Sequence, residues 1–308
     1  MALLSLEEIS YRLEREKSLA DAELSCVDLR GLVLDRGDFT GAYMRSANIT
    51  GVSCHQTNFS YASLMFAQAS EAVLTYANLA KTHLNSAQLD RANLSQAAAK
   101  AVILFGANLE QANLSAANLE EADLREAKAI ATDLRQAKLI KAKLDDGLFT
   151  NADFSKARLR LASLKAANCE GANFEGANLE QASMEKANLS KAQFTDAELI
   201  AANLQEANLT EANLQGAQLH EAKLGKALIC QTNLTGAALF GTNLEGTQFK
   251  QVNLAEASLR DANLEHSSWE AVDFADCDVM GAEFTFAEGL SDEQKHWLRG
   301  NGALNVPK

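Results

Sequence analysis

A five-residue period, held without insertion or deletion from Leu24 to Phe284, limits what this 308-residue chain can fold into more than any other feature. It is plainest from Ala172 to Gln181, which reads Ala-Asn-Phe-Glu-Gly and then Ala-Asn-Leu-Glu-Gln. Of the 53 central positions, 48 are Leu, Ile, Val, Met, Phe or Trp, and the remaining five (Cys54, Ala69, Ala99, Ala129, Cys169) are still apolar. The residue two before each centre is Ala, Gly, Ser, Thr, Cys or Val at every repeat but one, the exception being Leu32. Charge never enters either column.

A period of five matches neither the 3.6 of an α-helix nor the strict alternation of a long strand. A very short extended piece followed by a turn satisfies it. The centre (i) and the residue two before it (i−2) then point inward, while i−1, i+1 and i+2 face water. One such unit buries about 2 to 4 kcal/mol of apolar surface, against an ordering cost of about 1 to 2 kcal/mol for each of its residues. It cannot fold alone. Stacked units share a core and pair their backbones, which is the logic of a solenoid. Proline, which cannot donate a hydrogen bond, is absent from the repeat, and Pro307 lies beyond it.

Triplets such as Ala107-Asn108-Leu109, Ala112-Asn113-Leu114, Ala202-Asn203-Leu204 and Ala207-Asn208-Leu209 resemble the pentapeptide-repeat family over roughly Asp21 to Ala287. The resemblance implies an all-β solenoid, a right-handed quadrilateral parallel β-helix with four units per coil. Phe39 and Phe59, like Phe154, Phe174 and Phe194, recur at intervals of 20 as stacked rings would. About 13 coils at about 4.8 Å each would make a rod roughly 60 Å long. The expected organisation is an N-terminal capping helix over 1–20, the β-helix over 21–287, and a C-terminal capping helix and tail over 288–308. Ser5-Leu6-Glu7-Glu8 and Ser291-Asp292-Glu293-Gln294 both read as helix-capping boxes.

The net charge of −13 disfavours direct nucleic-acid binding. No apolar run is long enough for membrane insertion, and Glu7, Glu8, Glu14 and Glu16 stand where a secretion signal would be apolar. A cytoplasmic protein is expected. The five cysteines are odd in number and scattered, so they read as reduced thiols.

Function is expected on the outer walls. Between Arg45 and Lys81 the only charged residue is Glu71, and Tyr61, Met65 and Phe66 are outward. Tyr43, Tyr76, Ile103 and Phe105 are outward too, with Phe105 in the column of Met65. Tyr61, Met65, Phe66 and Phe105 are therefore the candidate partner-binding residues. Arg135 to Lys165 carries eight basic residues against three acidic ones, and Lys138 and Arg158 should stack. Glu245 to Gln294 carries 12 acids against two cations, which makes Glu256, Glu265, Asp273, Asp276 and Asp278 a candidate acidic face.

A filled interior leaves no concavity for catalysis, and His55, His83, His220, His266 and His296 have no partners at metal-ligand spacing. No enzyme activity, catalytic residue, metal or cofactor is expected. The leading reading is a rigid protein-interaction module or scaffold. The alternative comes from the family resemblance, since some members imitate duplex DNA, bind type II topoisomerases such as gyrase, and dimerise through their C-terminal ends. A homodimer through that end is accordingly possible here. Duplex DNA carries a charge about every 1.7 Å, whereas this chain would present one net charge per about 5 Å.

Overall fold

The structure is a computed structural model that describes residues 4–15 and 18–308. Each five-residue unit contributes one rung and one turn, and rungs pair in parallel at intervals of 20: Tyr43 with Ser63, Ser63 with His83, His83 with Ile103. Four units thus close one coil, giving four sides. Side 1 is centred on Leu24, Met44, Leu64 and Leu84, side 2 on Leu29 and Ile49, side 3 on Leu34 and Cys54, and side 4 on Phe39 and Phe59; all these centres are buried. The chain divides into two units, one ending at Arg158 and the other starting at Leu159. Each is a stack of such coils.

The backbone hydrogen bonds explain why the period is five. In one unit Leu64 N–H donates to His83 O (2.8 Å) and Phe66 N–H to Asn85 O (2.9 Å), both in the next coil. Ser63 N–H donates to Ala42 O in the coil before (2.9 Å), and Ala67 N–H closes the turn onto Leu64 O (3.1 Å). The fifth amide, at i+1, has no backbone acceptor. Where i−1 is Asn or Asp, its side chain supplies one, as Asn108 does for Glu110 N–H (3.2 Å) and Asn113 for Ser115 N–H (2.9 Å). The frequent Ala-Asn-Leu triplet therefore satisfies every donor of its unit.

The third residue of each turn is left-handed, with φ of 61° at Tyr61 and 59° at Phe66. Type II turns require this conformation and usually recruit glycine for it. Here lysine, glutamine, alanine and even aromatic residues adopt it, held by inter-coil bonds on both sides.

The interior is filled by the two apolar columns. Phe39 stacks on Phe59 with centroids 5.2 Å apart, and Phe174 on Phe194 at 4.8 Å. Where threonine replaces the usual alanine, its hydroxyl donates to a carbonyl of the coil before, as from Thr57 to Leu34 O and from Thr132 to Leu109 O (both 2.7 Å).

Helices close both ends. In the first unit, α1 (Leu6–Arg15) begins where Ser5 Oγ accepts from Glu8 N–H (3.2 Å), and Ile9 is buried. Of the expected cap over 1–20, residues 1–3, 16 and 17, including Glu16, lie outside the described residues. In the second unit three rungs lengthen into a parallel sheet on side 2, β1 (Leu228–Cys230), β2 (Gln248–Lys250) and β3 (Ser268–Glu270). Helix α2 (Asp292–Gly300) follows, with Ser291 and Gln294 forming the reciprocal capping box. Gln294 Nε2 also donates to Val272 O (2.7 Å), occupying an acceptor on the open edge. The chain then returns to side 1, where Leu304 N–H donates to Ala282 O (2.8 Å) and Phe284 N–H to Leu304 O (3.0 Å).

Candidate interaction surface

The sequence-predicted contact residues converge on side 1 of the first unit. Tyr43, Ser63, His83 and Ile103 follow one another up the rungs. Tyr61 and Phe66 occupy the two corners bounding the coil centred on Leu64, 58% and 41% exposed. Met65 and Phe105 are half-buried in one column, with Asn85 between them. Tyr76, expected outward, is exposed but lies at the corner between sides 3 and 4, edge-on to the His55 ring at 5.6 Å. It is not part of this surface.

Three cations cover the rings. Arg45 lies over Phe66 (5.1 Å from guanidinium carbon to centroid), Lys81 over Tyr61 (5.3 Å) and Arg125 over Phe105 (5.7 Å). Reading for apolar exposure misses these partners, although the spacing carries them: Lys81 and Arg125 stand one coil above their rings, and Arg45 one coil and one residue below Phe66. Arg125 also grips Asp123 through both carboxylate oxygens (2.8 and 2.6 Å). Those hydrogen bonds hold the Asp123 carboxyl below the usual range. Arg45 and Lys81 make no ion pair among the described residues.

The acids of this region lie elsewhere. From Thr40 to Gly106 there are two carboxylates, Glu71 and Asp90, and four cations, Arg45, Lys81, Arg91 and Lys100. Both carboxylates sit at the corner between sides 2 and 3, within 2.9 and 3.2 Å of Arg91 Nη2. Lys100 turns to Glu121 of the next coil (3.2 Å).

Ion pairs form at the two ends of the basic stretch, at Arg135 and Lys165. Lys138 and Arg158 are in register on side 4 of the first unit, as expected. Arg135 is held by Asp133 (2.7 Å), and in the second unit Lys165 by Glu185 (3.1 Å). Four of the five candidate acidic residues lie on two adjacent sides, and the fifth is apart. Asp273 is on side 3, Asp278 on side 4, and Glu256 and Asp276 are at the corner between them, whereas Glu265 lies at the corner between sides 1 and 2. Arg260 intrudes within 3.9 Å of Asp278, and Lys250 pairs with Glu270 (2.9 Å). Trp297, on α2, is half-buried beside Phe274 (6.2 Å).

Among the described residues, no group of three His, Cys, Asp or Glu side chains could hold a metal ion. No helix among them is long and apolar enough to cross a membrane. Burial pushes the Cys169 thiol up to about 12, opposite to what a reactive cysteine needs.

A family model described as pentapeptide repeats (8 copies) matches overlapping segments of the chain from residue 22 to residue 288. The chain belongs to the pentapeptide-repeat family, and the coils described above are those of its right-handed quadrilateral β-helix. Among solved structures it is similar to QnrB1, a plasmid-mediated fluoroquinolone resistance protein, at 19% identity, covering 56% of this chain and 86% of that one, with a TM-score of 0.51. It is also similar to HetL from the cyanobacterium Nostoc sp. strain PCC 7120, a pentapeptide-repeat protein involved in heterocyst differentiation regulation, at 26% identity over 91% of this chain and 97% of that one, with a TM-score of 0.36. The QnrB1 likeness is one of fold. No curated protein matches the chain in sequence.

Proposed function

We propose that this protein is a non-catalytic, rigid interaction module that binds a protein partner through an outer wall, with Tyr61, Met65, Phe66 and Phe105 at the contact. The observation that carries this reading is the pairing of a filled interior with three exposed rings on side 1 of the first unit and its corners. The two buried columns fill the interior, while Tyr43, Tyr61 and Phe66 are exposed together on the outer wall. Interface cores are enriched in Tyr, Phe, Met and Arg and depleted in Glu and Asp. Side 1 between Tyr43 and Phe105 has that composition. A stack of coils presents these side chains on a backbone that need not reorganise on binding, which reduces the ordering cost of association.

The DNA-mimic alternative has weaker support. Glu256, Glu265, Asp273, Asp276 and Asp278 do not share one side, and Arg260 and Lys250 interrupt them. Inhibition of gyrase supercoiling by the purified protein at micromolar concentration would favour mimicry over the side 1 reading.

The deciding experiment compares proteins captured from a lysate of the source cells by the wild type and by Tyr61→Ser/Met65→Ser/Phe66→Ser. All three substitutions are at outward positions, so the variant should keep the wild-type circular dichroism. Loss of a specifically captured protein is expected, and an unchanged capture profile removes the surface from consideration.

A further inference from the structure

Side 1 of the first unit has a second property, independent of its rings. The rung residues Tyr43, Ser63, His83 and Ile103 stand where Asn or Asp would accept the following turn amide, and none of them does so. The N–H groups of Arg45, Met65, Asn85 and Phe105 consequently donate to no acceptor among the described residues. They form a column of four outward donors, spaced by the coil repeat of about 4.8 Å. Uncapped turn amides also follow Glu198, Gln218, Ala238 and Ser258 in the second unit, but Glu198, Glu221 and Asp261 stand beside that column. Beside the four coils of the first column there is no carboxylate, the nearest being Glu23 and Asp123 one coil beyond its two ends, and Arg45 and Lys81 are cations without an ion pair.

Free donors, unpaired cations, exposed rings and missing acids call for the same complement. We propose that side 1 of the first unit receives an acidic, apolar-containing polypeptide segment of a partner protein, lying across the coils centred on Met44, Leu64, Leu84 and Leu104. Its carboxylates accept from the turn amides and from Arg45 and Lys81, while its apolar side chains cover Phe66, Met65 and Phe105. This rests on the proposed role of the surface as an interaction site and adds the chemistry of what binds.

A polypeptide suits the surface better than a nucleic acid. Two unpaired cations over four coils cannot follow a strand that carries a phosphate at every nucleotide. A carboxylate can instead take one donor from an arginine and another from a backbone amide, the arrangement that makes charged hydrogen bonds strong.

The test uses the full chain, immobilised, to select from a displayed library of random peptides. Selection is repeated on Arg45→Glu/Lys81→Glu, on Tyr61→Ser/Phe66→Ser, and on Gln96→Glu as a control at an exposed corner away from side 1. Enriched peptides should be acidic with aromatic or aliphatic residues, should bind the charge-reversed variant at least about tenfold more weakly, and should bind the control as they bind the wild type. Neutral or basic peptides that still depend on Tyr61 and Phe66 would overturn the acidic partner and leave the interaction surface standing. Peptides indifferent to both double variants would overturn the two together. Binding of a labelled oligothymidylate that is lost on Arg45→Glu/Lys81→Glu, with no acidic peptide enriched, would overturn the proposal in favour of a single-stranded nucleic acid.

Discussion

Phe249 and Trp269 lie one coil apart on side 2 with their ring centroids 4.1 Å apart and their planes within 1° of parallel. Trp269 is 4% exposed, and its Nε1–H donates to Ser267 Oγ (2.8 Å), which in turn donates to Leu264 O (2.6 Å). A single indole is thereby fixed by a ring below and by a hydroxyl in the small-residue column. These two residues are the inward centres of β2 and β3, and they show how a bulky side chain fits a core made mostly of Leu and Ala.

Trp269→Ala should cost about 3 to 5 kcal/mol of unfolding free energy, because neighbouring coils cannot collapse into the gap. Trp269→Phe should cost only about 1 kcal/mol, the value of the lost Nε1–H bond. Urea midpoints of the two variants check this, and equal losses would mean that the stack contributes little.

Gly216 has a left-handed φ of 68°, yet Ala201 holds the corresponding conformation at φ 53° with a side chain. Backbone geometry alone does not demand glycine there. A Cβ on Gly216 would instead meet Oδ1 of Asp196, one coil before. Gly216→Ala should therefore destabilise by about 1 kcal/mol or more, part of it left-handed strain that persists and part the clash, which adding Asp196→Ala should relieve, giving a non-additive double-mutant cycle. Additive losses would mean that the carboxylate is not the obstacle.

Cys54, Cys169 and Cys277 are buried, whereas Cys26 is exposed and Cys230 half-exposed. A thiol-specific reagent at pH 8 should label Cys26 first, and the three buried residues only after denaturation. Prompt labelling of Cys169 in the native protein would contradict its place in the core.

The same burial predicts a loss of stability in alkali. In the folded state Cys169 stays protonated up to about 12 because burial disfavours its thiolate. In the unfolded chain it ionises from about 8.5. Between those values the unfolded state holds fewer protons, so stability falls as pH rises, by about 1.4 kcal/mol per pH unit for this thiol. Below about 8.5 the contribution is fully present. Urea midpoints from pH 8 to pH 10 should fall less steeply in Cys169→Ala, and identical slopes would exclude this origin.

Much of the fold is legible because side-chain direction alternates within every rung. Leu109 and Leu114 are buried, as the two apolar columns require, and Phe39 meets Phe59 one coil away. The left-handed turn residues are not legible, since residues as different as Tyr61, Gln111 and Lys191 adopt them with φ near 60°. The strain there is offset by hydrogen bonds to adjacent coils, so composition at that position carries no mark of it. The surface was legible in part. Tyr61, Met65, Phe66 and Phe105 fall on one side because their columns follow from counting in twenties. The covering of Phe66 by Arg45 crosses a corner between adjacent columns, and a linear reading of charge-poor sequence stops at Arg45 without placing it over the ring. The grouping of Glu265 with Asp273 and Asp278 fails for the opposite reason, because residues close in sequence are carried to different sides of one coil.

The inter-coil amide bonds, each reaching about one full turn along the chain, make its length a quantised property. Excising twenty residues inside either unit would rejoin every column to itself. Excising five would keep inside and outside correct but shift each outward side chain by a quarter-turn. Adding one residue would turn the dry columns toward water. Such a gene can gain or lose whole coils at little risk, while single-codon slips within it are ruinous.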